Sequence, residues 1–270
     1  MKQWKMALAG LMSLVMVEMP AMPAPAVYAA ETQQETTAQT QQVKNGLLCE
    51  NGKYYYYVDG QMQKGWQDIK STIGGKEVVR RYYFGSNGAA YAAASGQKTL
   101  VKKIKGKYYG FDVKGRMRTS TFCNVKLKKG KTTVTYRYYF GSNGAAYAGK
   151  KVYGVKEIAV KKIKGKYYGF NLNGNMVKGT WVRDGKFYVF DKRTGIYRAA
   201  DSKRLRIASK ARSSATALIN QLGKPKSMKT LSYTCYGDGT EMFYYYDNFY
   251  ADIFKDRTTG QLIVLGVSAK

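Results

Sequence analysis

Histidine is absent from all 270 residues. Without imidazole there is no Ser-His-Asp triad, no Cys-His dyad, no HExxH zinc site and no histidine general base. Proline is scarce, with 4 residues, and cysteine scarcer, with 3. Cys49, Cys123 and Cys235 are too few, and odd in number, for a disulfide framework. One bridge with a free thiol and three buried thiols both stay open. Their spacing matches no metal site, so neither a metal nor a cofactor is expected. Acids are also few: 17 Asp and Glu stand against 46 Lys and Arg. No segment approaches 18 consecutive apolar residues, so no membrane span is expected.

What the chain does have is 25 Tyr and 29 Gly. A disordered chain would be aromatic-poor. This mixture suits short strands joined by glycine turns. Residues 1–29 read as a signal peptide. Lys2 and Lys5 supply its positive start, and residues 6–17 form an apolar stretch too short to cross a bilayer. Val27, Tyr28 and Ala29 offer a small-residue exit. Residues 30–44, rich in Gln and Thr, read as a disordered linker. A secreted protein is expected, held at any cell surface by non-covalent binding.

Self-comparison gives the strongest signal. RYYFGSNGAAYA occurs at residues 81–92 and again, unchanged, at 137–148. KKIKGKYYGF occurs at 102–111 and again at 161–170. Looser copies, GKYYYY at 52–57 and GKFYVF at 185–190, flank them. Each unit has hairpin chemistry. An aromatic strand, with Tyr82 and Phe84 on one face and Tyr83 on the other, runs toward a turn such as Asn87-Gly88 or Asn143-Gly144. One hairpin cannot hide its aromatic face from water, but stacked copies can. The expected fold is therefore mainly β: a β-hairpin repeat solenoid over residues 45–200. The Lys-rich pieces, such as 125–135, would be longer hairpin arms or loops.

GKYYYYVDGQMQKGW at residues 52–66 resembles the cell-wall/choline-binding repeat of Gram-positive surface proteins, including its glucan-binding form. NGNMVKGTW at 173–181, followed by GKFY at 185–188, is similar with one inserted Thr. The resemblance implies a non-catalytic module that attaches exported proteins to wall polymers. It further implies cages in which aromatic faces hold a quaternary ammonium. Two cages are expected on that basis: Trp66 with Tyr83 and Tyr91, and Trp181 with Tyr188 and Tyr197. The family's other Trp is Tyr or Phe in every copy here, and at the Met117 unit residues 119–122 stand where Gly-Trp would be. The competing reading is that these rings only pack the stack.

Charge placement bears on the ligand. Residues 45–200 hold 32 Lys and Arg against 8 Asp and Glu, a net of +24. Residues 201–270 hold 11 against 6. Such a field attracts polyanions in a salt-dependent way. For an exported protein the expected partners are cell-wall polymers: teichoic acid, peptidoglycan or glucan, or choline carried on them. Nucleic acid binders also interleave basic residues with Tyr, but the signal peptide argues against that partner.

Residues 201–270 read as a small α+β domain, one helix on an antiparallel meander. Ala211, Ala215, Leu218 and Leu222 share one helical face, with Gly223 as C-cap and Pro225 beyond it. Strands are expected at 231–236, 241–247, 249–255 and 261–267. The layout resembles a small module of Firmicutes surface proteins and the helix-plus-sheet units of outer-membrane-assembly lipoproteins. That implies interaction with a protein partner. The acids Asp238, Glu241, Asp247, Asp252 and Asp256 are the one cluster a glycosidase could use. Turn chemistry explains Asp238 and Asp247 without catalysis. No catalytic residue is assigned, and the alternative is a choline- or glucan-binding module of a small wall hydrolase.

Overall fold

The computed structural model describes residues 43–270. The expected signal peptide, and the expected linker up to residue 42, lie outside the described residues. Nineteen strands and two helices follow in order. A three-stranded antiparallel sheet opens the array, from β1 (Gly46–Glu50), β2 (Lys53–Val58) and β3 (Gln61–Met62). Six two-stranded hairpins follow. They are β4 (Gly65–Ile73) with β5 (Lys76–Phe84), β6 (Leu100–Ile104) with β7 (Lys107–Phe111), and β8 (Thr121–Lys129) with β9 (Thr132–Phe140). Then come β10 (Lys150–Val152) with β11 (Val155–Glu157), β12 (Ala159–Ile163) with β13 (Lys166–Phe170), and β14 (Gly179–Arg183) with β15 (Lys186–Phe190). The expected hairpin repeats are present, and 125–135 lies within the long β8–β9 arm.

The hairpins turn at a different place from the one read in the sequence. Except in β10–β11, which has no aromatic strand, the aromatic strand is the second of each pair, and the turn comes before it. At β6–β7 the turn is Lys105-Gly106, with φ of 44° and 81°. Both central residues are left-handed, as a two-residue hairpin turn requires. After the aromatic strand, Gly88 alone has positive φ, and the Asn87 side chain accepts a bond from the Ala89 N–H at 3.2 Å. This looser turn returns the chain to a single bridge, Phe84 with Ala90.

That bridged segment stitches one unit to the one before it. Ala90 N–H donates to the Tyr54 carbonyl at 2.8 Å, and Met117 N–H to Arg81 at 2.8 Å. Ala146 donates to Tyr108, Met176 to Arg137 and Tyr197 to Tyr167, at 2.8, 2.7 and 2.9 Å. In each case the acceptor lies three residues before a buried ring: Tyr57, Phe84, Phe111, Phe140 or Phe170. The ring ends its strand or stands beside its end, on the core side. This ladder is the core of the stack, and it can be buried only because units repeat in register. Gly110 makes room for it. A Cβ there would sit 2.5 Å from the Phe140 ring, and at the copy Gly169 it would sit 2.6 Å from Phe190.

The C-terminal part holds two helices where one was expected: α1 (Ala199–Ala208) and α2 (Thr216–Leu222). Between them Arg212 takes φ 65°, and the N–H groups of Arg212 and Ala215 donate to Val264 and Leu262. The segment pairs with a strand edge instead of continuing the helix, which overrides the apolar spacing of Ala211 and Ala215. Gly223 caps α2 as expected, with its N–H on the Ile219 carbonyl. The sheet runs β16 (Ser227–Thr230), β17 (Gly239–Tyr245), β18 (Phe249–Asp256) and β19 (Leu262–Ala269), all antiparallel. Its first strand lies at 227–230, before the expected 231–236. Val182 and Phe187 of the last hairpin share one buried cluster with Leu205, Leu218, Phe249, Ile253 and Val264.

The three cysteines are unpaired: Cys123 is buried, Cys49 and Cys235 exposed. Neither arrangement left open by the sequence is found. Among the described residues, no helix is long and apolar enough to cross a membrane.

Candidate functional site

The first site candidate lies between β4–β5 and β6–β7. Trp66 and Tyr83 are cross-strand partners, with ring centroids 5.0 Å apart at 74°. Tyr83 meets Tyr91 at 5.1 Å. The structure thus brings Trp66, Tyr83 and Tyr91 together. It adds two rings that the sequence reading missed: Tyr109, 4.8 Å from Trp66, and Phe111, 6.0 Å from Tyr91. Both come from the following hairpin. Two cations border the cluster. Arg81 is tied to Asp68, Nε to Oδ1 at 2.7 Å, which holds the Asp68 carboxyl below its usual range. Lys102 places its Nζ 5.6 Å from the Tyr91 ring.

The second candidate is a copy missed for want of a Trp. Phe122 stands where Trp66 stands, 4.8 Å from Tyr139 and 5.2 Å from Tyr168. Tyr139 meets Tyr147 at 5.3 Å, and Lys161 lies 5.6 Å from the Tyr147 ring. The signal that finds it is the repeat itself. A step of 56 residues carries Trp66, Tyr83 and Tyr91 onto Phe122, Tyr139 and Tyr147. One difference is chemical. The copy of Asp68 is Asn124, paired in register with Arg137. With no carboxylate opposite, Arg137 lies over the Phe122 ring, its Cζ 4.4 Å from the centroid.

The second expected cage is arranged differently. Trp181 and Tyr188 are cross-strand partners, and with Tyr197 they pack on the cluster of Ile158, Val177 and Phe190. Tyr188 meets Tyr197 at 5.8 Å. Arg206 of α1 covers Tyr188, with Cζ 4.6 Å from its ring. The same guanidinium donates to the Phe187 carbonyl at 2.8 Å and to the Tyr197 hydroxyl at 3.3 Å. Trp181 also lines a cavity of about 380 Å³ with Asn171, Asn173 and Asn248, while its Nε1 donates to the Lys178 carbonyl at 2.9 Å.

Outside the clusters the stack is cationic. Lys102, Lys103, Lys105 and Lys107 are exposed, as are their copies Lys161, Lys162, Lys164 and Lys166. Among the described residues, none of the eight has a carboxylate within salt-bridge distance. Inside, burial pushes the Tyr138 hydroxyl up to about 12, so it stays neutral.

The C-terminal acids divide. Asp238 pairs with Arg257 at 3.1 Å, Asp247 with Lys226, and Asp256 accepts the Thr259 N–H at 2.7 Å. Glu241 is buried and takes the Thr234 hydroxyl at 3.0 Å. Burial and the neighbouring Glu241 push Asp252 up to about 6. Among the described residues, no group of three His, Cys, Asp or Glu could hold a metal ion.

No family model matches the chain. Glucosyltransferase-I of Streptococcus downei is 31% identical over 145 residues, which is 47% of this chain and 8% of that protein. The chain thus spans under a tenth of this curated relative. Among solved structures, CbpF in complex with ipratropium is similar at 18% identity and a TM-score of 0.40, covering 81% of this chain and 53% of that one. Choline binding protein F from Streptococcus pneumoniae is similar at 24% identity and a TM-score of 0.30, covering 57% and 52%. This chain is similar to choline-binding proteins and to a glucosyltransferase, as the motifs at 52–66 and 173–181 imply.

Proposed function

We propose that this chain is an exported, non-catalytic protein whose basic hairpin repeats bind anionic or carbohydrate polymers of the Gram-positive wall. One observation carries the reading. The aromatic rings are spent inside and between the hairpins, while exposed lysines recur, without carboxylate partners, on every second unit. A row of like charges on a stiff scaffold suits a polymer with repeating charge, and its attraction is screened by salt. Three of the five C-terminal acids, Asp238, Asp247 and Asp256, are engaged in ion pairs or turns, which supports a non-catalytic reading. The C-terminal sheet, welded to the last hairpin by a shared core, would be displayed to another wall component or a protein partner.

The test compares walls before and after teichoic acid is extracted. The protein should be retained on intact walls and released from stripped ones. Replacing Lys161, Lys162, Lys164 and Lys166 by Gln should release it at lower salt. Equal retention on both kinds of wall would overturn the charge mechanism.

A specific observation favours a second reading at one place. Asp68 draws Arg81 into an ion pair, so the rings of Trp66, Tyr83 and Tyr109, beside the Tyr91 ring already faced by Lys102, are left to an external cation such as choline. The copies at Phe122 and Tyr188 are already covered by Arg137 and Arg206. Elution by free choline, lost in Trp66→Ala, is the result this reading requires.

A further inference from the structure

Three of the methionines share one position in the repeat. Met62, Met117 and Met176 each stand in the segment that follows an aromatic strand, paired with a buried ring residue: Tyr57, Phe111 or Phe170. Each presses its side chain on a glycine in the turn of the next unit. A Cβ on Gly88 would collide with the Met62 sulfur, and one on Gly144 with the Met117 sulfur. One on Gly195 would sit 2.6 Å from Met176 Cε and 3.1 Å from its Sδ. The three glycines have φ of 75°, 77° and 75°, the left-handed region that favours glycine. The missing Cβ is thus the seat of a thioether.

Two of the three also hold the seam behind them. Met117 N–H donates to the Arg81 carbonyl and Met176 N–H to Arg137, so each ties the unit before it to the unit after it. The seams between are made by alanine. A Cβ on Gly115 would meet the Ala90 Cβ at 3.1 Å, and one on Gly174 the Ala146 Cβ at 3.3 Å. Sulfur therefore occurs at every second seam.

The sulfurs can be reached, and their seats suit a thioether better than its oxidised form. Met62 is 40% exposed, and Met117 and Met176 are half-buried. A sulfoxide is polar and chiral, and its oxygen needs a donor. The N–H of each seat glycine is already committed. Gly88 donates to the Gly85 carbonyl at 3.0 Å, Gly144 to Gly141 at 3.0 Å, and Gly195 to Asp191 at 2.9 Å.

We propose that Met62, Met117 and Met176 are modification sites, where oxidation by a hydroperoxide opens the sulfur–glycine seams and loosens the hairpin stack. In the step, the thioether lone pair attacks one oxygen of hydrogen peroxide. The S–O bond forms as the O–O bond breaks, sulfur gives up two electrons, and the other oxygen leaves as water. The new oxygen turns toward solvent and draws the sulfur off its glycine. This does not rest on the wall-binding reading, because it is read by unfolding and not by retention on walls.

In the test, the full chain is treated with hydrogen peroxide and peptide mass spectrometry locates each added oxygen. Urea unfolding is followed by tryptophan fluorescence. Met62 should gain its oxygen on the time scale of Met228, which is 62% exposed on the edge strand β16, and severalfold sooner than Met117 and Met176. The unfolding midpoint of the parent should fall as the three are oxidised. The same treatment should lower it far less in a variant with Met62→Leu, Met117→Leu and Met176→Leu. Leu fills the seats at small cost and carries no sulfur. That variant keeps Met228 and Met242, so a loss arising at either persists in it. If it does not fold, Met62→Leu alone carries the test, and should lack the part of the fall that accompanies Met62 oxidation. An unchanged midpoint in the fully oxidised parent overturns the proposal. So does an equal fall in the leucine variant, or a Met62 that stays unoxidised when Met228 is fully converted.

Discussion

Arg81 is bound by Asp68 through two parallel hydrogen bonds, at 2.7 and 2.5 Å, while its repeat copy Arg137, facing Asn124, lies on the Phe122 ring. The copy with the carboxylate holds its arginine off the ring at the Trp position, and the copy without it has the arginine on that ring. Asp68→Asn should let Arg81 fold over Trp66 and weaken choline binding there about threefold to tenfold. Asn124→Asp should draw Arg137 away and open a second site. A choline titration followed at the Trp66 indole N–H by NMR checks the first. An unchanged titration in Asp68→Asn would show that Arg81 is not the competitor.

The spacing of the stack rests on small residues beneath the buried rings. Gly110→Ala places a methyl 2.5 Å from the fully buried Phe140 ring, closer than real contacts come, so something in the packed ladder must shift. The expected loss is about 1–3 kcal/mol, read by urea unfolding. Phe140→Ala empties a fully buried ring site and should cost about 3–5 kcal/mol. Equal stability of Gly110→Ala and the parent would contradict the packing described here.

The repeats were legible because RYYFGSNGAAYA and KKIKGKYYGF recur nearly unchanged. The placement of their turns was not. Asn87-Gly88 has the hairpin signature, yet Asn87 uses its side chain to close a looser loop, and Lys105-Gly106 forms the tight turn instead. The KYYGF strands pair with the lysine-bearing runs before them, such as 100–104. Its alternation of exposed Lys and buried Ile104 is weak as a pattern. The Phe122 cluster was missed because the expectation was keyed to Trp, although the 56-residue step marks it. That Tyr188 is covered by a cation was not readable, because the Arg206 guanidinium comes from α1, later in the chain. The break at Arg212 was hidden for the same reason: the edge of β19 takes its N–H.

Two acids should shape stability against pH in opposite senses. Asp252, raised to about 6 by burial and by Glu241, binds a proton more tightly folded than unfolded. Its contribution is present below about pH 4 and is lost as pH rises through about 6. Asp252→Asn should therefore stabilise the protein at pH 7, by on the order of 1–2 kcal/mol after screening. Asp191 is lowered to about 2 by the Thr194 N–H and hydroxyl and by Arg193. Its contribution is present above about pH 4 and is lost as pH falls through about 2. Thermal unfolding from pH 2 to 8, in the parent and in Asp252→Asn, separates the two.

Sedimentation with purified Gram-positive walls across a salt series, from roughly 0.02 to 0.5 M, tests the account most directly. Bound protein should fall steadily as salt rises, and should fall sooner when Lys161, Lys162, Lys164 and Lys166 are replaced by Gln. Binding that is constant across the series, and equal in parent and variant, would contradict a cationic hairpin stack as the element that holds the wall.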